Sequence, residues 1–156
     1  MIRVDVPGAP PLLLEYLVLD FNGTLARDGV LSEGVAEALR ALSEKIEIHV
    51  VTADTFGRAA GELEGLPCRL QLLPAGGQAE AKRAYLHGLG ADRAAAIGNG
   101  RNDARMLGEA ALGICVLGPE GAAGETLLAA DAAVASPLDA LGLLIDPLRL
   151  VATLRD

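Results

Sequence analysis

Asp20 closes an apolar run, Leu12 to Leu19, and is followed directly by Phe21, Asn22, Gly23 and Thr24. A carboxylate delivered at a strand end onto a tight glycine turn, where backbone N–H groups converge, can attack phosphorus as carboxylates do in aspartyl-phosphate enzymes. Taken alone, the residue is equally an Asp that opens a turn. Thr52 closes the run His49-Val50-Val51 ahead of Ala53 and Asp54, so its hydroxyl is placed either to bond a phosphate oxygen or to cap a helix. Lys82 stands in the first half of a helical segment that follows Gly76 and Gly77. It is either a compact positive charge for an anion or a solvated helical lysine. Gly98, Asn99, Gly100, Arg101, Asn102 and Asp103 again join the end of an apolar run to the start of a helix. The glycines on either side of Asn99 allow close backbone approach, and Asp103 in the first helical turn points toward a cation or toward Lys82. A capped helix start is the plainer account of this segment, and it leaves the paired glycines unexplained.

The elements that must position these residues follow from apolar runs at even intervals: Ile2 to Val6, Leu12 to Leu19, Ile46 to Val51, Cys68 to Leu72, Ala94 to Ile97, Leu112 to Leu117 and Ala132 to Ala135. Each reads as a strand. Between them, Glu33 to Ser43, Phe56 to Glu64, Gln78 to His87, Arg101 to Glu109 and Ala122 to Ala129 carry helical periodicity. Ser136-Pro137 and Asp146-Pro147 each set a capping side chain before a proline suited to a first helical turn, predicting two C-terminal helices. Strands alternating with helices predict an α/β fold, a three-layer Rossmann-like parallel sheet with helices on both faces and functional groups at the strands' carboxyl ends. Pro7, Gly8, Pro10 and Pro11 leave too little chain between the first two runs for a helical crossover, so an antiparallel hairpin is expected at the N-terminus.

In this order, the four positions resemble the haloacid dehalogenase-like superfamily of phosphohydrolases and phosphotransferases. Its pattern runs from a strand-end Asp-x-Asp-Gly-Thr through a strand-end Thr or Ser and a Lys to an acidic Gly-Asp-Gly-x-x-Asp segment. The resemblance spans Leu17 to Leu107. Within the superfamily the chain is most similar to the phosphorylation domain of P-type ATPases, through Thr52-Ala53-Asp54 and the segment from Gly98 to Ala104. The resemblance implies that Asp20 is a nucleophile forming an aspartyl-phosphate. It also implies that Thr52, Ala53, Lys82 and the backbone at Asn22 and Gly23 bind the transferring phosphoryl group, which gains most from fixed donors and cations around its charged oxygens. A magnesium ion is implied as well, held by Asp20, Asn22, Asn99 and Asp103.

Two positions that are acidic in most such phosphatases are amides here, Asn22 and Asn99. The residue two after the nucleophile ordinarily protonates the leaving group and then activates water, a contribution of about 10²–10⁴ in rate. Asn22 cannot exchange that proton, so turnover is expected to be slow. Asn99 removes a negative charge from the metal site. The gaps between the motifs hold about one helix and one strand each, so no cap domain is expected. The site should be open unless the chains of a homo-oligomer cover one another, and the substrate is expected to be a phosphorylated small molecule or a phosphoprotein. The competing reading is a non-catalytic phosphate- or metal-sensing module.

At 156 residues and 51% hydrophobic, the chain is sized for a single core domain, expected over residues 1–156. A formal net charge of −8 reads against nucleic-acid or anionic-membrane partners, which need a clustered positive face. Only two lysines, Lys45 and Lys82, stand against eleven arginines, so either is a candidate for a retained point charge unless the richness in Arg, Ala, Leu and Gly is that of a GC-rich genome. Cys68 and Cys115 fit no metal spacing and read as reduced thiols, pointing to a cytoplasmic protein. Asp5 and Pro7 interrupt the stretch where a signal peptide needs an apolar core, and no uncharged stretch reaches the roughly 18 residues of a spanning helix.

Overall fold

The computed structural model describes residues 1–155. The N-terminal apolar runs form strands β1 (Ile2–Val4) and β2 (Leu12–Leu14), paired antiparallel as a hairpin. The run from Leu12 to Leu19 is two strands and not one. It breaks at Glu15, after which β3 (Tyr16–Leu19) enters the main sheet. Glu15 bridges the change, donating its N–H to the Arg93 carbonyl (2.8 Å) and accepting from the Glu47 N–H (2.9 Å). Just past Asp20 a second hairpin of β4 (Ala26–Arg27) and β5 (Val30–Leu31) turns on Asp28 and Gly29, at φ 51° and 78°. Asp-Gly with both residues left-handed is a two-residue hairpin turn.

Helix α1 (Val35–Ser43) buries Val35, Ala38, Leu39 and Leu42, one apolar stripe at helical spacing. Then come β6 (Glu47–Thr52), α2 (Ala59–Glu62), β7 (Arg69–Leu72), α3 (Gln78–Leu89), β8 (Ala94–Gly98), α4 (Ala104–Glu109), β9 (Leu112–Val116), α5 (Gly124–Ala129), β10 (Ala132–Val134), α6 (Pro137–Ile145) and α7 (Pro147–Leu154). The helix expected over Phe56 to Glu64 shrinks to one turn because Asp54 and Gly57 take left-handed conformations (φ 49° and 66°). The segment expected to be helical from Arg101 opens with a 3₁₀ turn over Arg101–Asp103. Ser136 caps α6 by accepting from the Asp139 N–H (3.1 Å), whereas Asp146 makes no such bond at α7.

The main sheet is six-stranded and parallel throughout, in the order β10-β9-β8-β3-β6-β7. Helices α1, α6 and α7 pack with the N-terminal hairpin on one face, around Leu17, Leu19, Ile48, Val50, Ile97, Ile114, Leu141 and Leu144. Helices α3, α4 and α5 cover the other, around Val18, Val51, Leu86, Ala94, Ala96, Met106 and Cys115. Among the described residues no helix is long and apolar enough to cross a membrane, and both cysteines are free.

Candidate active site

The central strands β3, β6 and β8 lie side by side, so their carboxyl ends bring Asp20, Thr52 and Asn99 to one edge of the sheet. Asp20 is 6% exposed, Thr52 3% and Asn99 8%. All three line a cavity of about 250 Å³ together with Asn22, Ala53, Gly100 and Glu120. A larger depression of about 620 Å³ lies at the opposite edge, against Lys45, Glu47, Cys68 and Arg69, and gathers none of these groups.

Lys82 reaches this edge from α3, with its side chain 1% exposed. Its Nζ donates to Asp20 Oδ1 (2.5 Å) and to Asp103 Oδ1 (2.7 Å). Burial works to lower the lysine pKa, but the two carboxylates outweigh it and hold the value above the usual range, so the ammonium is retained. Asp103 is fully buried, and its pKa is pushed up to about 6, first by burial and then by the Asp20 charge, against the pull of Lys82 and the Gly100 N–H. Two carboxylates around one ammonium leave one formal negative charge in a buried space. Such an arrangement costs desolvation and is strongly destabilised if one partner is removed.

Asp103 was expected among metal ligands, and its geometry gives it other work. Oδ1 holds Lys82, while Oδ2 accepts the N–H groups of Asn99 and Gly100 (3.0 Å each). It folds the Gly98 to Asp103 loop around itself and does not line the cavity. Gly98 is required there, since a Cβ would come within 2.5 Å of Asp103 Cγ. Lys82 likewise does not line the cavity, and meets it only through Asp20.

On the other side of Asp20, Thr24 Oγ1 lies 3.0 Å from Asp20 Oδ2 and 3.0 Å from Asn99 Oδ1. A hydroxyl has one proton, so one of these two buried oxygens lacks a donor. Flipping the Asn99 amide does not help, because its Nδ2 donates to the Gly121 carbonyl (3.0 Å). Asn22 Oδ1 is also buried without a partner. An oxygen short of a donor between Asp20 and Asn99, at a cavity that Asn22 also lines, is what a hard cation with oxygen ligands relieves. The fit is to an ion of the magnesium type, with Asp20 and Asn99 as the protein oxygens that face it and Asn22 beside them. No group of three His, Cys, Asp or Glu side chains is assembled for a metal among the described residues, so this donor set depends on amide oxygens.

Thr52 accepts the Asp54 N–H on its hydroxyl oxygen (3.0 Å), which leaves its proton for an acceptor in the cavity. Asp54 accepts the N–H groups of Arg58 and Ala59 (2.9 and 3.0 Å), so it caps the turn into α2 and does not touch Lys82. The Gly23 N–H is committed to the Ala26 carbonyl (2.8 Å). What Gly23 gives the site is its missing side chain at φ 78°, because a Cβ would stand 2.6 Å from Asn99 Nδ2. Beside it a cleft of about 500 Å³ runs under the β4–β5 hairpin, lined by Gly23, sharing Glu120 with the cavity and walled by Val30, Leu31, Pro119 and Leu138. Thr24 and Glu120 escaped the sequence reading. Thr24 stands inside the motif already singled out, whereas Glu120 carries only the Pro-Glu-Gly signature of an ordinary turn.

No family model matches the chain. An uncharacterized protein of Methanocaldococcus jannaschii is 54% identical over 61 residues, which is 39% of this chain and 66% of that protein. A second from the same organism is 51% identical over 39 residues, 25% of this chain and 89% of that one. Among solved structures, 3-deoxy-D-manno-octulosonate 8-phosphate phosphatase from Moraxella catarrhalis, in complex with magnesium, phosphate and KDO, superposes with a TM-score of 0.71 at 18% identity, over 90% of this chain and 92% of that one. A phosphoserine phosphatase in apo form gives 0.62 at 15% identity, over 84% and 99%. A zinc-transporting PIB-type ATPase gives 0.62 at 26% identity over 79% of this chain, which spans only 20% of that pump. With its parallel sheet, its helices on both faces and its polar residues gathered at the carboxyl edge, the chain has the fold of the haloacid dehalogenase-like hydrolases.

Proposed function

We propose that the chain is a divalent-metal-dependent phosphohydrolase or phosphotransferase that passes a phosphoryl group through Asp20, with a phosphorylated small molecule as substrate. The observation that carries the reading is the Asp20 carboxylate at the wall of a cavity of about 250 Å³, with Oδ1 held by Lys82 and Oδ2 sharing the Thr24 hydroxyl with Asn99. That asymmetry divides the work of the two oxygens. Oδ2 faces the cation site and Oδ1 is left to attack phosphorus, forming the P–O bond to Asp20 as the bond to the leaving-group oxygen breaks. A bound magnesium ion supplies charge neutralisation between carboxylate and phosphate. Lys82 fixes the attacking oxygen, and Thr52 offers its hydroxyl proton to a phosphoryl oxygen. Water then attacks the phosphorus and releases phosphate, restoring the Asp20 carboxylate; an acceptor hydroxyl in place of water makes the step a transfer.

Asn22 can donate a hydrogen bond to the leaving-group oxygen but has no proton to surrender, so both steps rely on solvent for proton transfer and turnover is slow. The second reading, a phosphate- or metal-sensing module without turnover, is favoured by the pair of amides at positions 22 and 99. Hydrolysis of an aryl phosphate with and without magnesium, beside Asp20→Asn, separates the two. Magnesium-dependent turnover that vanishes in the variant supports the enzyme, and phosphate binding without turnover supports the module. Asn22→Asp is expected to raise the rate about tenfold or more. An unchanged rate in a folded variant removes the explanation of slowness offered for Asn22.

A further inference from the structure

We propose that Glu120 is a ligand of the divalent cation, supplying from a different loop the carboxylate that Asn99 lacks. The inference rests on the metal-dependent reading of the same site. Glu120 lies in the Gly118-Pro119-Glu120-Gly121 turn after β9, two strands across the sheet from β3. The turn is closed by the Gly121 N–H to the Gly118 carbonyl (2.8 Å) and fastened to Asn99 at two points. Asn99 Nδ2 donates to the Gly121 carbonyl (3.0 Å), and the Asn99 carbonyl accepts the Ala123 N–H (2.9 Å). Glu120 is therefore carried by a segment docked on the residue whose charge is missing.

Its carboxylate converges on the same point. The position a Cβ on Gly23 would occupy is 2.7 Å from Glu120 Oε2, 2.6 Å from Asn99 Nδ2 and 3.0 Å from Asn99 Oδ1. Glu120 also lines the cavity with Asp20, Asn22 and Asn99. Among the described residues none of the ion pairs includes Glu120, although the chain carries eleven arginines. Glu120 is exposed at the rim of the cavity that Asp20 lines, so its carboxylate is available to a cation held there. An independent observation points to the same ion: Asp20 Oδ2 and Asn99 Oδ1, both more than nine-tenths buried, compete for the single proton of Thr24. With Glu120, the donors become two carboxylates and amide oxygens, a set of hard ligands that favours magnesium or manganese over zinc.

The test is calorimetric titration of manganese into the full chain, without substrate, for wild type, Glu120→Gln, Asn99→Asp and the Asn99→Asp/Glu120→Gln double variant. Circular dichroism of each checks the fold. Glu120→Gln is expected to weaken manganese binding about 10- to 100-fold, and the double variant, which moves the carboxylate back to position 99, is expected to recover most of the loss. Wild-type affinity in Glu120→Gln overturns the assignment, including the case where its turnover falls while manganese binding holds, which makes Glu120 a proton donor instead. If neither wild type nor Asn99→Asp binds manganese at millimolar concentration, the metal-dependent reading itself fails. The two failures are thus told apart.

Discussion

The two faces of the parallel sheet are filled by different means, and the difference explains where the chemistry is. One face is packed with large side chains, Leu17, Leu19, Ile48, Val50, Ile97 and Ile114 meeting Leu39, Leu42, Leu141 and Leu144. The other presents Ala94, Ala96, Gly98, Gly113 and Cys115, so its helices lie close against the backbone. Gly113 marks the limit of that approach, since a Cβ there would come within 2.4 Å of the Leu107 carbonyl oxygen. The thin face is the one whose helix α3 carries Lys82 inward to Asp20 and Asp103, and the one that buries His49 against Tyr85 (Nδ1 to Oη 2.8 Å). Apolar burial on the thick face offsets the cost of charge on the thin one, so the faces should respond differently to substitution.

The largest effect is expected at the charged centre of the thin face. Lys82→Met leaves Asp20 and Asp103 buried together without a counter-charge and should cost about 3–5 kcal/mol in denaturant unfolding, with loss of any phosphoryl transfer; an unchanged midpoint would mean that the triad is solvated. On the thick face Leu39→Ala should cost about 2–5 kcal/mol through lost burial and a residual cavity, while leaving any phosphoryl transfer intact under conditions where the variant is folded. Gly113→Ala tests the close approach from the opposite direction. The added methyl meets backbone, so about 1–3 kcal/mol should be lost by overpacking, and a neutral result would show that α4 can retreat.

The smallest effect concerns pH. Burial lowers the His49 pKa below the usual 6.5, Glu47 opposes that pull and Arg69 adds to it. The His49 Nε2 lies 3.1 Å from Glu47 Oε1 without the alignment of a hydrogen bond. With its folded pKa depressed, the imidazole stays neutral in the native state while the unfolded chain takes up a proton. Its contribution is therefore present above about pH 6.5 and lost as pH falls through the folded value. His49→Gln should flatten the stability profile between about pH 5 and 7, read by unfolding curves across that range; an identical slope in the variant would assign the dependence to other groups.

The thick face was legible in the sequence because large apolar side chains recur at strand and helix period, and its strands and helices fell where Leu and Ile said they would. The thin face was harder, because Ala and Gly carry little burial signal and Lys82 looks like any surface lysine until α3 is docked. Spacing alone brought Asp20, Thr52, Lys82, Asn99 and Asp103 to one edge, since each sits at a strand end or in the helix leading there. It did not distinguish Asp103 as an anchor from Asp103 as a ligand, which depends on both carboxylate oxygens being taken. The break at Glu15 was hidden by an unbroken run of apolar neighbours. The β4–β5 hairpin was missed although its signal, Asp28-Gly29 with positive φ at both positions, was readable. Glu120 was not readable, because its neighbour in space is twenty-one residues back in the chain.

The central claim is covalent, and acid-quenched intact-mass analysis followed by peptide mapping tests it most directly. Wild type mixed with magnesium and a reactive phosphate donor should gain one phosphoryl group on the peptide containing Asp20, and the adduct should be absent from Asp20→Asn. Turnover by wild type with no such adduct, or an adduct that maps to another residue, would contradict the account.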